Sequence, residues 1–441
     1  AVRRLGTRRY FSAPVHDSVR RCGTRAEVRQ LQQLVQASSD GRERFWARPE
    51  FDTMVATVRK QFEGGSLHPG DAVVLLSAFA AARRLPEEID GACLELLSSR
   101  CSELTDLQLV HGALLLGNLL GSETDSAWPA IANELEYRAG QMELQLAVGA
   151  LVALSQAGVG AGDALVAAVL DGQAELSAAN LSRVALAVAT LGISGPGTWH
   201  PLNARLAVAV QDMTTSQVSD VMMALATLGD CPLNLGVKLL SRLAKPDAWE
   251  AEDAVTAAWA LCIVELYDAA VLGTLLRAAG AEELGEAASN QVQQVVLSLQ
   301  YEDMAARARR ELVAEDPKLW DALCRLEDPV GDDEEVEAMK FQSYVEELRE
   351  MLEGVGVSCE TFLRVEGFYT LHLAFPETKW CILFDATAHS VQDPFARLKH
   401  RHLRALGWQL QAIVPGEVEA LDEDSRKEFL EGLLVASRGE E

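Results

Sequence analysis

Aromatic side chains, paired cysteines, long apolar runs and positive charge are all scarce in this sequence. Aromatics make up 6% of the 441 positions. Ala, Leu, Val and Gly dominate instead, which favours close-packed helices over a β-sandwich. The eight cysteines (Cys22, Cys93, Cys101, Cys231, Cys262, Cys324, Cys359 and Cys381) are scattered, without a CxxC pair or a Cys/His cluster at zinc spacing. They read as reduced and mostly buried thiols. No apolar run reaches the roughly 18–20 residues of a membrane span, so no span is expected. Stretches such as "GALLLGNLLG" are too short and sit inside periodic helical segments. Lys and Arg number 39 against 65 Asp and Glu, a formal charge of −26. That balance excludes a general phosphate-binding surface, so any nucleic-acid contact must be local.

The first thirty residues depart from this balance, with eight arginines (Arg3, Arg4, Arg8, Arg9, Arg20, Arg21, Arg25, Arg29) against Asp17 and Glu27. An Arg-rich, acid-poor start with "RRYFSA" predicts a mitochondrial targeting segment or a basic arm over 1–40, and hence the mitochondrial matrix.

From about residue 45 to 310 the sequence repeats itself. "TDLQLVHGALLLGNLLG" from Thr105, "MELQLAVGALVALSQAG" from Met142, "AANLSRVALAVATLG" from Ala178 and "TSQVSDVMMALATLG" from Thr215 recur at a step of about 37 residues. Weaker copies start at Pro69, Ala251 and Ser289. Each unit opens with a cap-type residue, runs as an apolar helix at 3.6 spacing, turns at a glycine and continues as a second helix. "DSAWPAIANELEYRA" and "PLNLGVKLLSRLA" are two of the second helices. A lone helical hairpin cannot bury both faces, whereas stacked hairpins can. The pattern therefore predicts a mostly α protein built on an α-solenoid.

Between Thr105 and Gln300 there are seven basic residues (Arg138, Arg183, Arg205, Lys238, Arg242, Lys245, Arg277) against 21 acidic ones. An array that tracks an RNA strand needs a basic path, so the solenoid reads as a protein-binding scaffold. Gln108, Gln145, Ser182 and Ser219 are expected on exposed faces, as solvated positions or as base-reading ones.

A helical cap and an acidic linker are expected over 311–340, including the run Asp332 to Glu335. A different composition follows over 341–436. "FQSYVEELREMLEGVG" has helical spacing, while "ETFLRVEGFYTLHLAFP" and "KWCILFDAT" are β-like. A basic helix, the strand "WQLQAIV" and the acidic helix "LDEDSRKEFLEGLLVAS" complete an expected order α-β-β-α-β-α, a small α/β domain.

The stretch "VEGFYTLHLAFPETKWCILFDATAHS…ARLKHRHLRALGWQLQAI" resembles the RAP domain, most closely in "LKHRHLRALGW". The repeat period resembles the heptatricopeptide and octotricopeptide families. These resemblances imply an organellar RNA-associated protein, such as a component or assembly factor of the mitochondrial ribosome, with RNA (rRNA) and proteins of a large complex as partners. RAP domains also resemble the PD-(D/E)XK nuclease fold, in which carboxylates on adjacent strands bind Mg²⁺. Here His372 stands at the first-strand acidic position, and Leu383 replaces the second-strand Glu. Asp385 and His389 remain. Glu346 or Glu347 could add one ligand. The expectation is a degenerate site: no catalysis, no cofactor and no metal.

At 100° per residue, Phe395, Leu398, His402, Leu403 and Leu406 fall on one side of the basic helix, and Arg397, Arg401 and Arg404 on the other, with His400 beside them. Arg397, Lys399, His400, Arg401 and Arg404 are the candidate RNA contacts. The arginine ridge suits phosphates or an acidic protein surface. His402 and Trp408 read as buried core, and Lys399 as a side chain that snorkels from a buried edge. Two further functions stand beside the first: a structural subunit of a respiratory or other mitochondrial complex that uses the fold for docking, and a nuclease built on Asp385.

Overall fold

The computed structural model describes residues 26–37, 49–82, 87–119, 127–160, 162–171, 176–193, 195–245, 248–280, 284–325, 340–354, 356–384 and 393–414, with a few single positions beyond. The chain divides into two compact units, 1–209 and 210–441. The protein is mostly helical, with one small four-stranded mixed sheet near its C-terminus. None of the described helices is long and apolar enough to cross a membrane.

The described helices of the first unit are α1 (Ala26–Ala37), α2 (Pro49–Glu63), α3 (Pro69–Ala82), α4 (Glu87–Ser99), α5 (Asp106–Leu119), α6 (Trp128–Arg138), α7 (Leu144–Ala157), α8 (Asp163–Asp171), α9 (Ala178–Thr190) and α10 (Pro196–Ala209). The odd-numbered helices from α3 carry the expected repeats. Each packs on the next odd-numbered helix, α3 on α5, α5 on α7 and α7 on α9. In the second unit, α11 (Thr215–Leu228), α13 (Ala251–Ile263) and α15 (Glu286–Tyr301) pack in the same way. α12 (Leu233–Leu243) packs on the turn at 210–212, α14 (Ala269–Ala279) and α16 (Ala306–Glu315) pack on α13 and α15, and the short α17 (Pro317–Leu323) follows.

Four arginines in or beside the repeats bind carbonyls of the repeat array itself. Arg100 donates to Leu67 O at 2.9 Å, Arg138 to Leu104 O at 2.7 Å, Arg205 to Leu170 O at 2.7 Å and Arg242 to Met213 O at 2.7 Å. Each arginine, on a second helix or just after one, ties down a carbonyl 29 to 35 residues earlier in the chain. The expected exposure of Gln108, Ser182 and Ser219 is corrected, because all three are buried. They face the tightly packed neighbouring helices that small residues allow, and Ser182 turns back to Ala179 O at 3.1 Å. Gln145 is exposed, and its Oε1 accepts from Asn180 one repeat on at 3.0 Å.

After α18 (Gln342–Gly354) come β1 (Glu360–Val365), β2 (Tyr369–Phe375), β3 (Trp380–Phe384), the basic helix α19 (Pro394–Ala405) and β4 (Gln409–Ile413). Strand order is β1-β2-β3-β4, antiparallel except for the β3/β4 pair that α19 bridges. The first β-like stretch holds two strands rather than one. It folds back through Glu366 and Gly367, both at positive φ, and Phe368 N–H donates to Val365 O. β3 serves both faces by alternation: Trp380, Ile382 and Phe384 pack on α18, while Cys381 and Leu383 pack with Leu403 of α19 and Leu297 of α15.

Residues 1–25 of the basic N-terminal segment, the acidic run Asp332 to Glu335 and most of the last acidic helix lie outside the described residues.

Candidate functional site

α19 starts at Asp393, whose carboxylate accepts from Phe395 N–H at 3.3 Å, with Pro394 in the first turn. It ends in "LGW". Gly407 takes φ +87, its N–H donates to Arg404 O, and Trp408 N–H reaches back to Leu403 O. This is a Schellman ending, and Leu403 and Trp408 share one core cluster, as that motif favours. Lys379 seals the turn: its Nζ donates to Leu406 O at 2.8 Å and its carbonyl accepts from Gln409 N–H. The Gly-Trp pair therefore turns a basic helix directly into β4.

α19 is packed on two sides. Leu398 and Leu403 face inward beside the sheet, and the opposite side lies across α11, α13 and α15. Arg397 donates to Ala226 O at 3.1 Å and to Thr227 O at 3.4 Å, at the C-terminal end of α11. Arg401, one turn later, donates to Cys262 O and Ile263 O, both at 2.9 Å, at the end of α13. The two arginines take equivalent carbonyls of successive repeats. Helix C-termini carry partial negative charge, and a planar guanidinium presents two donors side by side.

The two ends differ around this shared pattern. Gly229, just past α11, has φ +70, and a Cβ built there would overlap the Arg397 guanidinium. The matching position past α13 is Glu265, at φ +58, with its Oε1 3.5 Å from Arg401 Nη1. Arg401 also bonds Glu302, which follows α15, and Tyr267 Oη at 2.8 Å. Tyr267 itself donates to Glu302 at 2.8 Å. Burial lowers the pKa of Arg397. Burial also works against Arg401, but Tyr267, Glu302 and Glu265 outweigh it and raise its pKa. For Glu302 burial would favour the neutral acid, and the donors His402, Arg401 and Tyr267 reverse that and lower its pKa.

His402 is fully buried and satisfied. Trp259 Nε1–H donates to Gln294 Oε1 at 2.6 Å, which turns the Gln294 amide nitrogen toward Tyr369 Oη at 3.1 Å. Tyr369 O–H then donates a hydrogen bond to His402 Nδ1 at 2.7 Å. The remaining proton sits on Nε2, which faces Ser298 Oγ at 2.7 Å and Glu302 Oε1 at 3.1 Å. Burial lowers the pKa of this imidazole, against the opposing pull of Glu302.

Of the other candidates, Lys399 donates to Thr370 O at 2.8 Å with Nζ over the Tyr369 ring, His400 is buried, and Arg404 is exposed. Asp385 and His389 lie outside the described residues. His372, on β2, is buried against the rings of Phe341, Phe362 and Phe384, and its Nδ1 accepts from Phe384 N–H at 2.8 Å. Burial pushes its pKa down to about 3, with Lys399 adding to the effect. Glu346 and Glu347 are exposed on α18. Among the described residues no group of three or more His, Cys, Asp and Glu side chains is placed to hold a metal ion.

The partners of the arginines were hidden from sequence reasoning. Their only trace was the coincidence of two spacings, an i, i+4 pair of arginines on one helix and a step of about 37 residues between repeats. No protein-family model matches the chain, and no curated protein matches it either.

Proposed function

We propose that the chain is a non-catalytic mitochondrial scaffold of the RAP type, an α-solenoid fused to a degenerate nuclease-like domain. Its setting is a ribonucleoprotein such as the mitochondrial ribosome or its assembly machinery. The acidic repeats dock proteins, and the C-terminal domain makes a local RNA contact. The repeat-then-sheet order and the "LGW" junction support the family reading. The buried His372, which offers no carboxylate where the nuclease pattern has one, supports the absence of catalysis.

One observation reshapes the RNA contact. Arg397 and Arg401 hold the chain's own helix ends, so of the five candidate residues Arg404 is the exposed one. We assign the contact to the end of α19 around Arg404 and give Arg397 and Arg401 a fastening role. The same observation favours a second reading, a purely structural subunit whose RAP-like fold serves docking alone.

Crosslinking and RNA sequencing on the endogenous complex separates the two. The first reading expects RNA adducts near Arg404, reduced at least threefold by Arg404→Glu. A complex free of RNA, or adducts that ignore this substitution, leaves the second.

A further inference from the structure

We propose that the C-terminal ends of α7 and α9 form a docking site for a partner helix that carries two arginines four residues apart. The inference rests on the reading of the repeats as a protein-binding scaffold, and it names the chemistry of one partner.

The template lies in the second unit. Arg397 and Arg401 each take the two carbonyls that stand three and two residues before the left-handed position at a helix end: Ala226 and Thr227 before Gly229, and Cys262 and Ile263 before Glu265. A four-residue step is about 6 Å along a helix. Neighbouring helix axes lie about 8–10 Å apart, and two long arginine side chains splay across the difference.

The first unit repeats this ending. α7 closes at Gly158, φ +68, with Gly158 N–H on Ser155 O and Val159 N–H on Leu154 O. α9 closes at Gly192, φ +71, with Gly192 N–H on Ala189 O and Ile193 N–H on Val188 O. α13 closes the same way, with Glu265 N–H on Cys262 O and Leu266 N–H on Leu261 O. The carbonyls equivalent to those taken by α19 are therefore Ser155 and Gln156 at α7, and Ala189 and Thr190 at α9. α7 and α9 pack side by side, as α11 and α13 do.

The space is open. Gly158 and Gly192 are both exposed, and a Cβ built on Gly192 meets no described atom within 4 Å. At Gly229 the same construction would overlap an arginine. Charge points the same way: from residue 140 to 209 there are four acidic residues (Glu143, Asp163, Asp171, Glu175) against Arg183 and Arg205. Arg205 is already bound to Leu170 O. A cationic helix meets two aligned negative helix ends in an acidic surrounding, the complement α19 finds one unit later.

A helix-stapled, fluorescent peptide of residues 393–408 is the probe, because it carries the arginine pair in the spacing the template shows. It is titrated into the full chain, whose own α19 occupies the second unit. Saturable binding is expected, with photo-crosslinks at 154–160 and 188–193. Replacing both peptide arginines by glutamine should weaken it at least tenfold. Gly192→Asn in the chain, a residue that tolerates left-handed backbone but fills the space, should weaken it at least fivefold with an unchanged circular dichroism spectrum.

Crosslinks confined to 225–230 and 261–266 would mean exchange with α19 and would overturn the proposal. So would binding indifferent to the arginines or to Gly192→Asn, or no binding at 100 µM peptide, on the order of 10⁻⁴ M and weaker than a specific helix-in-groove contact needs. Native purification keeps the two claims apart. If the endogenous chain retains protein partners while the peptide fails, the scaffold reading stands and this site falls.

Discussion

The ends of α11 and α13 receive the same two bonds from an arginine, yet they hold it by different means. At α11 the fit is one of shape. Gly229 leaves room, the guanidinium bonds the backbone carbonyls of Ala226 and Thr227, and burial works against the charge of Arg397. At α13 the fit is one of charge. Glu265 and Glu302 flank Arg401, and Tyr267 bridges it to Glu302. One end can lose its arginine and keep neutral carbonyls, while the other would be left with a carboxylate that is only 9% exposed. Identical backbone geometry therefore does not imply equal contributions.

The largest expected effect follows from that contrast. Arg401→Ala strands the Glu302 carboxylate and should cost about 3–5 kcal/mol, the range for removing one partner of a buried ion pair. Arg397→Gln removes charge-assisted bonds to neutral carbonyls and should cost about 1–3 kcal/mol. Urea unfolding with hydrogen exchange read on the α19 amides measures both. Equal losses would show that charge at Glu302 contributes little, and the contrast between the two ends would collapse.

Acid separates the two kinds of contact next. His372 is neutral in the fold with a pKa near 3, and His402 is held below its ordinary value. The unfolded chain takes up these protons at about pH 6.5. Stability contributed by neutral histidine is therefore complete above pH 6.5 and declines as pH falls toward the folded pKa. For His372 the loss is about 2 kcal/mol at pH 5. Glu302, with its pKa lowered, contributes above the ordinary carboxylate value and loses that contribution only at more acidic pH. The C-terminal sheet should thus weaken before the Arg401 pair does. Unfolding midpoints at pH 7, 6 and 5 test this, and His372→Gln should flatten the slope. A midpoint that does not move between pH 7 and 5 would contradict the burial argument.

Much of this architecture could be read from the sequence, because its signals are local. The apolar spacing of "MELQLAVGALVALSQAG" and "TSQVSDVMMALATLG" predicts α7 and α11, and the prolines, caps and glycines place their ends. The branched and aromatic runs predict β2 and β3. What stayed hidden is non-local. The Glu366-Gly367 turn is short enough to look like the middle of one strand. Helical geometry puts Arg397 and Arg401 on one side of α19 but does not say what that side meets. Serine and glutamine read as surface residues, yet Ser182 and Ser219 are buried because small side chains let the repeat helices close over them. A chain with few positive charges has used most of those in the described repeats and in α19 to hold itself together.

The smallest effect tests whether the charged end is optimised. Glu265 occupies a left-handed conformation that costs a non-glycine residue about 1–2 kcal/mol. Its ion pair with Arg401 is 3.5 Å long, and its side chain is 51% exposed, so the pair contributes about 0–1 kcal/mol. Glu265→Gly relieves the first and forfeits the second. It also gives the unfolded chain more freedom, a loss of about 0.5–1 kcal/mol. The net is a change within about 1 kcal/mol, on the stabilising side if the backbone term leads. A loss above about 2 kcal/mol would mean that the Glu265 carboxylate holds Arg401 far more tightly than an exposed pair can. The α13 end would then depend on two carboxylates rather than on Glu302 alone, and its difference from the α11 end would widen.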